Sequence, residues 1–232
     1  MTNPTELLAA RVREAPAQPL LTQYAAAGRT ELSAASFANW VDKTTNWLED
    51  EGIADLYDPP SPAPLLALEL AADQPAHWMT FAWLMAAWQA GLAVSPGPAE
   101  GAVLRVGGPG AGAGGPVTVA CSLHPLAMPG DPAPGVLDWA AEVRAQPDVH
   151  LAVADDPSRA AWAGAPGARS LGELLDGVAP APGPVLISEP AGPWPAVRDG
   201  LLAPLLGGGS AVLAPRVPAA ELDRIRAAER IA

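Results

Sequence analysis

Three groups of residues in this 232-residue sequence have types and spacings that carry chemistry. Gly110-Ala-Gly112-Ala-Gly114-Gly115 has the spacing of a dinucleotide-binding glycine turn, whose backbone N–H groups cradle a pyrophosphate at a helix start. Such a turn needs a strand before it and a helix after it. This run is bracketed by Pro109 and Pro116 and leads into Val117-Thr-Val-Ala-Cys, a strand pattern, so the sequence predicts a flexible Gly/Pro-rich loop over about 107–116. The second group, Cys121, Ser122, His124 and Asp131, supplies a nucleophile, a base and an orienting carboxylate by type alone. It has no Gly-x-Ser-x-Gly elbow, and Cys121 closes an apolar strand where a buried thiol is common, so we expect packing there and assign no catalytic residue. The third group lies at the carboxyl ends of predicted strands, where open parallel sheets place their ligands. Asp73, Ser95, Ser188, Glu189 and Gly192 are the candidate ligand-binding residues. The Ser188 loop leads them, because a strand ends there and a Gly-containing loop meets a helix start near Trp194; a Pro-rich connection that only turns the chain is the competing reading. Glu69 reads as a buried carboxylate with a shifted pKa or as an outward-facing strand residue. His77, His124 and His150 are too scattered for a metal site, and none is expected.

Composition removes several classes of function. A formal charge of −12 with Lys43 as the only lysine opposes binding to a nucleic-acid backbone, which relies on clustered cations. One cysteine cannot form an internal disulfide, and the N-terminus has no basic segment followed by an apolar run, so we expect a cytoplasmic protein. Residues 76–94 approach the length of a membrane span, but His77, Thr80 and Gln89 dilute them and Gly91 caps the helix; a buried core helix is expected, and no span. With 50% hydrophobic residues the chain can fold as one domain over 1–232 despite 28 prolines and 23 glycines.

The elements that must position these residues follow from periodicity. A short helix is predicted at 5–14, a hairpin at 20–24 and 29–32, and a helix capped by Ser33 with Phe37, Trp40, Val41, Thr44 and Leu48 on one face. Residues 65–70 read as a strand, Asp73 as the cap of a Trp-rich helix, and 92–94 as the next strand. Further strands are expected at 102–106, 116–121, 150–154, 185–188 and 210–214, with helices at 136–145, 171–176, 195–206 and 219–231. This alternation predicts an α/β fold of mostly parallel sheets flanked by helices.

Several of these blocks share an order with a known superfamily. Leu32-Ser33 followed by Leu48-Glu-Asp-Glu-Gly52-Ile53, then Leu65-Leu-Ala-Leu-Glu-Leu70, Ala86-Ala-Trp-Gln-Ala-Gly91-Leu-Ala-Val-Ser-Pro96 and Leu201-Leu-Ala-Pro-Leu-Leu-Gly-Gly-Gly-Ser-Ala-Val-Leu213, resemble the N-terminal domain of acyl-adenylate-forming enzymes. That superfamily contains acyl-CoA synthetases and nonribosomal adenylation domains. The final helix, Leu222-Asp-Arg-Ile-Arg-Ala-Ala-Glu-Arg-Ile231, continues the likeness, whereas 103–182 hardly share it. The resemblance implies a phosphate loop, Ser-Gly-Thr-Thr-Gly-x-Pro-Lys-Gly, ahead of the 201–213 block, and no such run occurs. The Tyr-Gly-x-Thr-Glu segment, the ribose-binding aspartate region and the C-terminal domain with its catalytic lysine are also missing before Ala232. We therefore expect a shortened, degenerate relative, of a kind associated with an actinobacterial family. Its expected role is a non-catalytic module that binds a protein partner or a small acyl or nucleotide ligand, with no cofactor. The alternative is an acid–thiol ligase-like or acyl-thioester enzyme retaining ATP, AMP or CoA binding. An assembly module is a third reading, resting on the acidic surface and on some of the eight tryptophans being exposed.

Overall fold

The computed structural model describes residues 2–25, 28–55, 62–151 and 156–231. Helix α1 (Pro4–Glu14) is opened by Asn3, whose side chain accepts the Glu6 N–H while the Glu6 carboxylate accepts the Asn3 N–H, a reciprocal cap. Strands β1 (Pro19–Ala25) and β2 (Gly28–Ser33) form the expected antiparallel hairpin. Ser33 then caps α2 (Ala34–Asp50) by accepting the Ser36 N–H at 3.1 Å.

Strand β3 is shorter than its hydrophobic run suggested. It ends at Leu68, and Glu69–Asp73 form a helical turn, α3. Glu69 is thus no strand residue: its carboxylate forks with the Arg105 guanidinium at 2.9 and 3.1 Å, at the N-terminal end of the turn where negative charge is favoured. Asp73 is the last residue of that turn and caps nothing. The Trp-rich helix α4 (Trp78–Gln89) is capped by His77, whose Nδ1 accepts the Met79 N–H at 3.2 Å. Burial pushes the His77 pKa down to about 4, which keeps the ring neutral and its lone pair available. Residues Trp78 to Trp88 of α4 are all buried, because the helix packs on α2 on one side and on β3 and β4 (Ala93–Ser95) on the other.

Strands β5 (Leu104–Gly107) and β6 (Val117–Ala120) are parallel neighbours joined by residues 108–116, which form the expected loop without a helix. Asp138 of β7 (Leu137–Asp138) caps the short helix α5 (Trp139–Val143). His150 and Leu151 are not in a strand, and the remainder of the strand expected at 150–154 lies outside the described residues. Two strands absent from the sequence reading, β8 (Ala160–Trp162) and β9 (Arg169–Ser170), complete a seven-stranded sheet in the order β7-β6-β5-β3-β4-β8-β9. Its pairings are parallel except β8 with β9. A second sheet runs β10-β11-β1-β2, with β10 (Pro184–Ile187), β11 (Ser210–Leu213) and β1 parallel. Between β10 and β11 lie α6 (Pro193–Val197), a wide turn at Arg198–Leu202 and α7 (Ala203–Gly207); α8 (Ala219–Glu229) closes the described fold.

The tryptophans belong to the core. Trp78, Trp83 and Trp139 pack together with Trp40 and Trp47 at centroid distances of 5.2–6.2 Å. Seven of the eight are buried and Trp40 is half-buried, so no tryptophan offers the exposed face that an assembly module was expected to show.

Candidate functional site

The side of α2 opposite Phe37, Val41, Thr44 and Leu48 carries Asp42, Lys43, Asn46, Glu49 and Asp50, spaced to share one face. That face is crossed by the segment 144–150, which runs on from α5. Lys43 Nζ donates to the carbonyls of Arg144 at 3.2 Å and of Gln146, and pairs with Asp148 at 2.7 Å. Asn46 Nδ2 donates to the carbonyls of Pro147 at 3.0 Å and Val149 at 3.2 Å, and Gln146 Nε2 donates to Asp50 Oδ2 at 3.0 Å. His150 Nε2 stands 3.8 Å from Glu49 Oε2. These contacts strap the segment onto the helix.

Between the strap, α1 and α2 lies a cavity of about 580 Å³, within the roughly 300–1,000 Å³ of small-molecule sites. Leu8, Ala9 and Val12 from α1, Ala38 from α2 and Val149 from the strap supply apolar lining; Asn39, Asp42, Gln89 and His150 supply polar groups. Asp42 Oδ1 accepts from Gln89 Nε2 at 2.9 Å, and the His150 backbone N–H donates to the same carboxylate. Burial raises the Asp42 pKa above the ordinary carboxylate range, outweighing these two hydrogen bonds and the nearby His150 charge, which act to lower it. A partly buried carboxylate with a shifted pKa inside a mostly apolar cavity is the arrangement that marks binding sites.

The residues singled out in the sequence lie elsewhere. Ser188 follows β10, Glu189 is exposed, and Gly192 precedes α6 with φ 145°, a conformation that suits glycine. The Ala214 N–H donates to the Ile187 carbonyl at 2.9 Å, and Arg216 Nη2 reaches the Asp73 carbonyl at 3.2 Å. The carboxyl ends of β10 and β11 thus lie side by side, and Arg216 beyond β11 reaches the end of α3. Ser95 ends β4 in register with Ala67, in the other sheet. None of the five lines the cavity beside α2 or the two smaller ones, of about 90 and 400 Å³.

The Cys121 group does not assemble. Cys121 is fully buried, and burial pushes its thiol up to about 12 even though Trp83 Nε1 donates to Sγ at 3.2 Å. Ser122 Oγ donates to the Met128 carbonyl at 2.6 Å, and His124 Nδ1 accepts the Leu126 N–H at 3.2 Å, so both serve a turn. Among the described residues no group of His, Cys, Asp and Glu is arranged to hold a metal, and no helix is long and apolar enough to cross a membrane.

No family model matches the chain. It is 36% identical over 165 residues to a TIGR03089 family protein of Mycobacterium tuberculosis, an alignment covering 64% of this chain and 63% of that protein. Among solved structures it superposes on a Brucella canis acyl-CoA synthetase with a TM-score of 0.72 and 16% identity, over 98% of this chain and 46% of that one. The N-terminal domain of FACL13 from Mycobacterium tuberculosis gives a TM-score of 0.69 at 14% identity, with 100% of this chain and 62% of that one covered. This is the N-terminal domain fold of adenylate-forming enzymes. The chain spans less than two thirds of each of these relatives.

The shared blocks fall on the elements of the adenylate-forming fold. Leu32-Ser33 opens α2, residues 86–96 join α4 to β4, and 201–213 lead through α7 into β11. Upstream of that last block, residues 156–200 contain Ala163-Gly-Ala-Pro-Gly167 and Ser188-Glu-Pro-Ala-Gly192 but no lysine. The only lysine is the strap clip on α2.

Proposed function

We propose that this chain is a non-catalytic adenylate-forming-like domain that works as a binding or partner module, with the cavity beside α2 as its ligand site. One observation carries the reading: the single ammonium side chain, Lys43, is committed to the strap by Asp148 and two carbonyls. Triphosphate binding relies on clustered N–H groups, hydroxyls and a cation. The Ser188 loop offers one hydroxyl beside the Glu189 carboxylate, whose charge opposes a phosphate. The residues present do not fit ATP. Pyrophosphate exchange with ATP, Mg²⁺ and a panel of carboxylic acids tests this: the expected rate is that of the blank, and turnover above it overturns the reading.

A second reading, a ligase-like or acyl-thioester enzyme with residual ATP, AMP or CoA binding at Ser188, Glu189, Gly192, Asp73 and Ser95, is favoured by the solved relatives, which include a synthetase and an anthranilate CoA ligase bound to anthranoyl-AMP. Thermal unfolding with each ligand separates the two, because a ligand at about 100 times its Kd adds roughly 2.7 kcal/mol of stability. A shift with a nucleotide or CoA supports the second reading.

A further inference from the structure

The cavity beside α2 holds a carboxylate that no lysine or arginine among the described residues neutralises. Asp42 is bonded to the neutral Gln89 amide at 2.9 Å and to the His150 backbone N–H, with the His150 ring nearby. Its neighbour Lys43 turns to the strap instead, pairing with Asp148 at 2.7 Å. Glu6, also on the lining, is occupied at the start of α1, where its Oε2 accepts the Asn3 N–H at 3.2 Å. Arg13 also lines the cavity and is exposed to solvent, where its charge is screened. The surrounding surface of Leu8, Val12 and Ala38 is apolar.

From this arrangement we infer that the cavity takes a small organic cation, an alkyl- or arylamine whose ammonium group pairs with Asp42 while its hydrocarbon body lies against Leu8, Val12 and Ala38. The inference rests on the chain being a binding module. Asp42 is faced by an amide, a backbone N–H and a titratable imidazole but, among the described residues, by no permanent cation, so an ammonium group gains there what an alcohol of the same shape cannot, and a carboxylate ligand would meet like charge. The protein's net charge of −12 also raises the local concentration of cations over anions.

Calorimetric titration of the full chain with 2-phenylethylamine, 2-phenylethanol and 3-phenylpropanoate at pH 7 and low salt provides the test. The amine is expected to bind saturably and at least tenfold more tightly than the alcohol, a ranking read on the unaltered protein. Asp42→Asn, with its fold checked by circular dichroism, should cost the amine at least tenfold and leave the alcohol unchanged; Ala38→Trp, which fills the cavity, should abolish both. Should the alcohol or the carboxylate bind as tightly as the amine, or Asp42→Asn make no difference, while Ala38→Trp still blocks binding, the cation assignment falls and the binding module stands. Absence of saturable binding by all three probes overturns the cation assignment and removes the cavity as the module's ligand site.

Discussion

Helices α2 and α4 pack side by side yet use their surfaces in opposite ways. Helix α4 hides every residue from Trp78 to Trp88, and its capping group is itself a buried, neutral histidine. Helix α2 buries one stripe and gives the opposite one to a strap from a hundred residues later in the chain. The first helix is held by packing density and the second partly by directed polar contacts. Stability therefore concentrates in α4, while α2, whose strap is held by polar contacts at the surface, builds the cavity.

Three substitutions sharpen this contrast. The largest effect is expected for Trp83→Ala, since the side chain is fully buried among Trp47 and Trp139; a loss of about 4 kcal/mol in urea unfolding is the expected magnitude. A loss below about 1 kcal/mol would mean that the core collapses around the gap and that α4 is not densely held. The His77 cap comes next. Its folded pKa, about 4, lies below the ordinary 6.5, so its contribution is fully present above pH 6.5 and is lost as pH falls toward 4. The shift corresponds to about 3 kcal/mol at most. The thermal midpoint should drop over that window, and His77→Asn, which keeps a neutral acceptor at the cap, should flatten the drop. The smallest effect on global stability belongs to Lys43→Met, about 1 kcal/mol or less, because the Asp148 partner is largely exposed. Amide exchange over 144–150 should nevertheless accelerate by about tenfold, reporting local opening without unfolding. Equal protection in the two proteins would show that the strap does not depend on its clip.

The parts of the fold that rest on local periodicity were legible in the sequence, and those that rest on distant partners were not. Ser33, the apolar stripe of α2 and the buried Trp-rich helix follow from spacing alone. Asp73 failed as a cap because the hydrophobic run 65–70 changes conformation at Glu69, where pairing with Arg105 and the turn start outweigh strand propensity. Strand β8 is Ala-Ala-Trp between Asp156-Pro-Ser-Arg and the Gly/Pro-rich Ala163-Gly-Ala-Pro-Gly167, and its pairing beside β4 makes it a strand. The cavity left no local sign: Asp42, Asn46 and Glu49 read as a solvated helix face, and nothing near them in sequence announces residues 144–150. The two glycine runs show the same limit. Gly110 and Gly112 have open space around them, whereas a methyl group on Gly207 or Gly209 would collide with the backbone of Ala181 or Gly183. One run is a loose connection and the other a close crossing of two segments of the chain, with similar composition.

Lys43 is the only side-chain amine in the protein, and its ammonium is engaged by Asp148 and two carbonyls. Acylation of that amine would remove its charge and leave one amide N–H in place of three donors, so an acylated Lys43 would hold the strap less well. Chemical labelling of one residue and closure of one wall of the cavity therefore compete for the same amine, and slower labelling of Lys43 than of a free lysine is the expected sign of that competition.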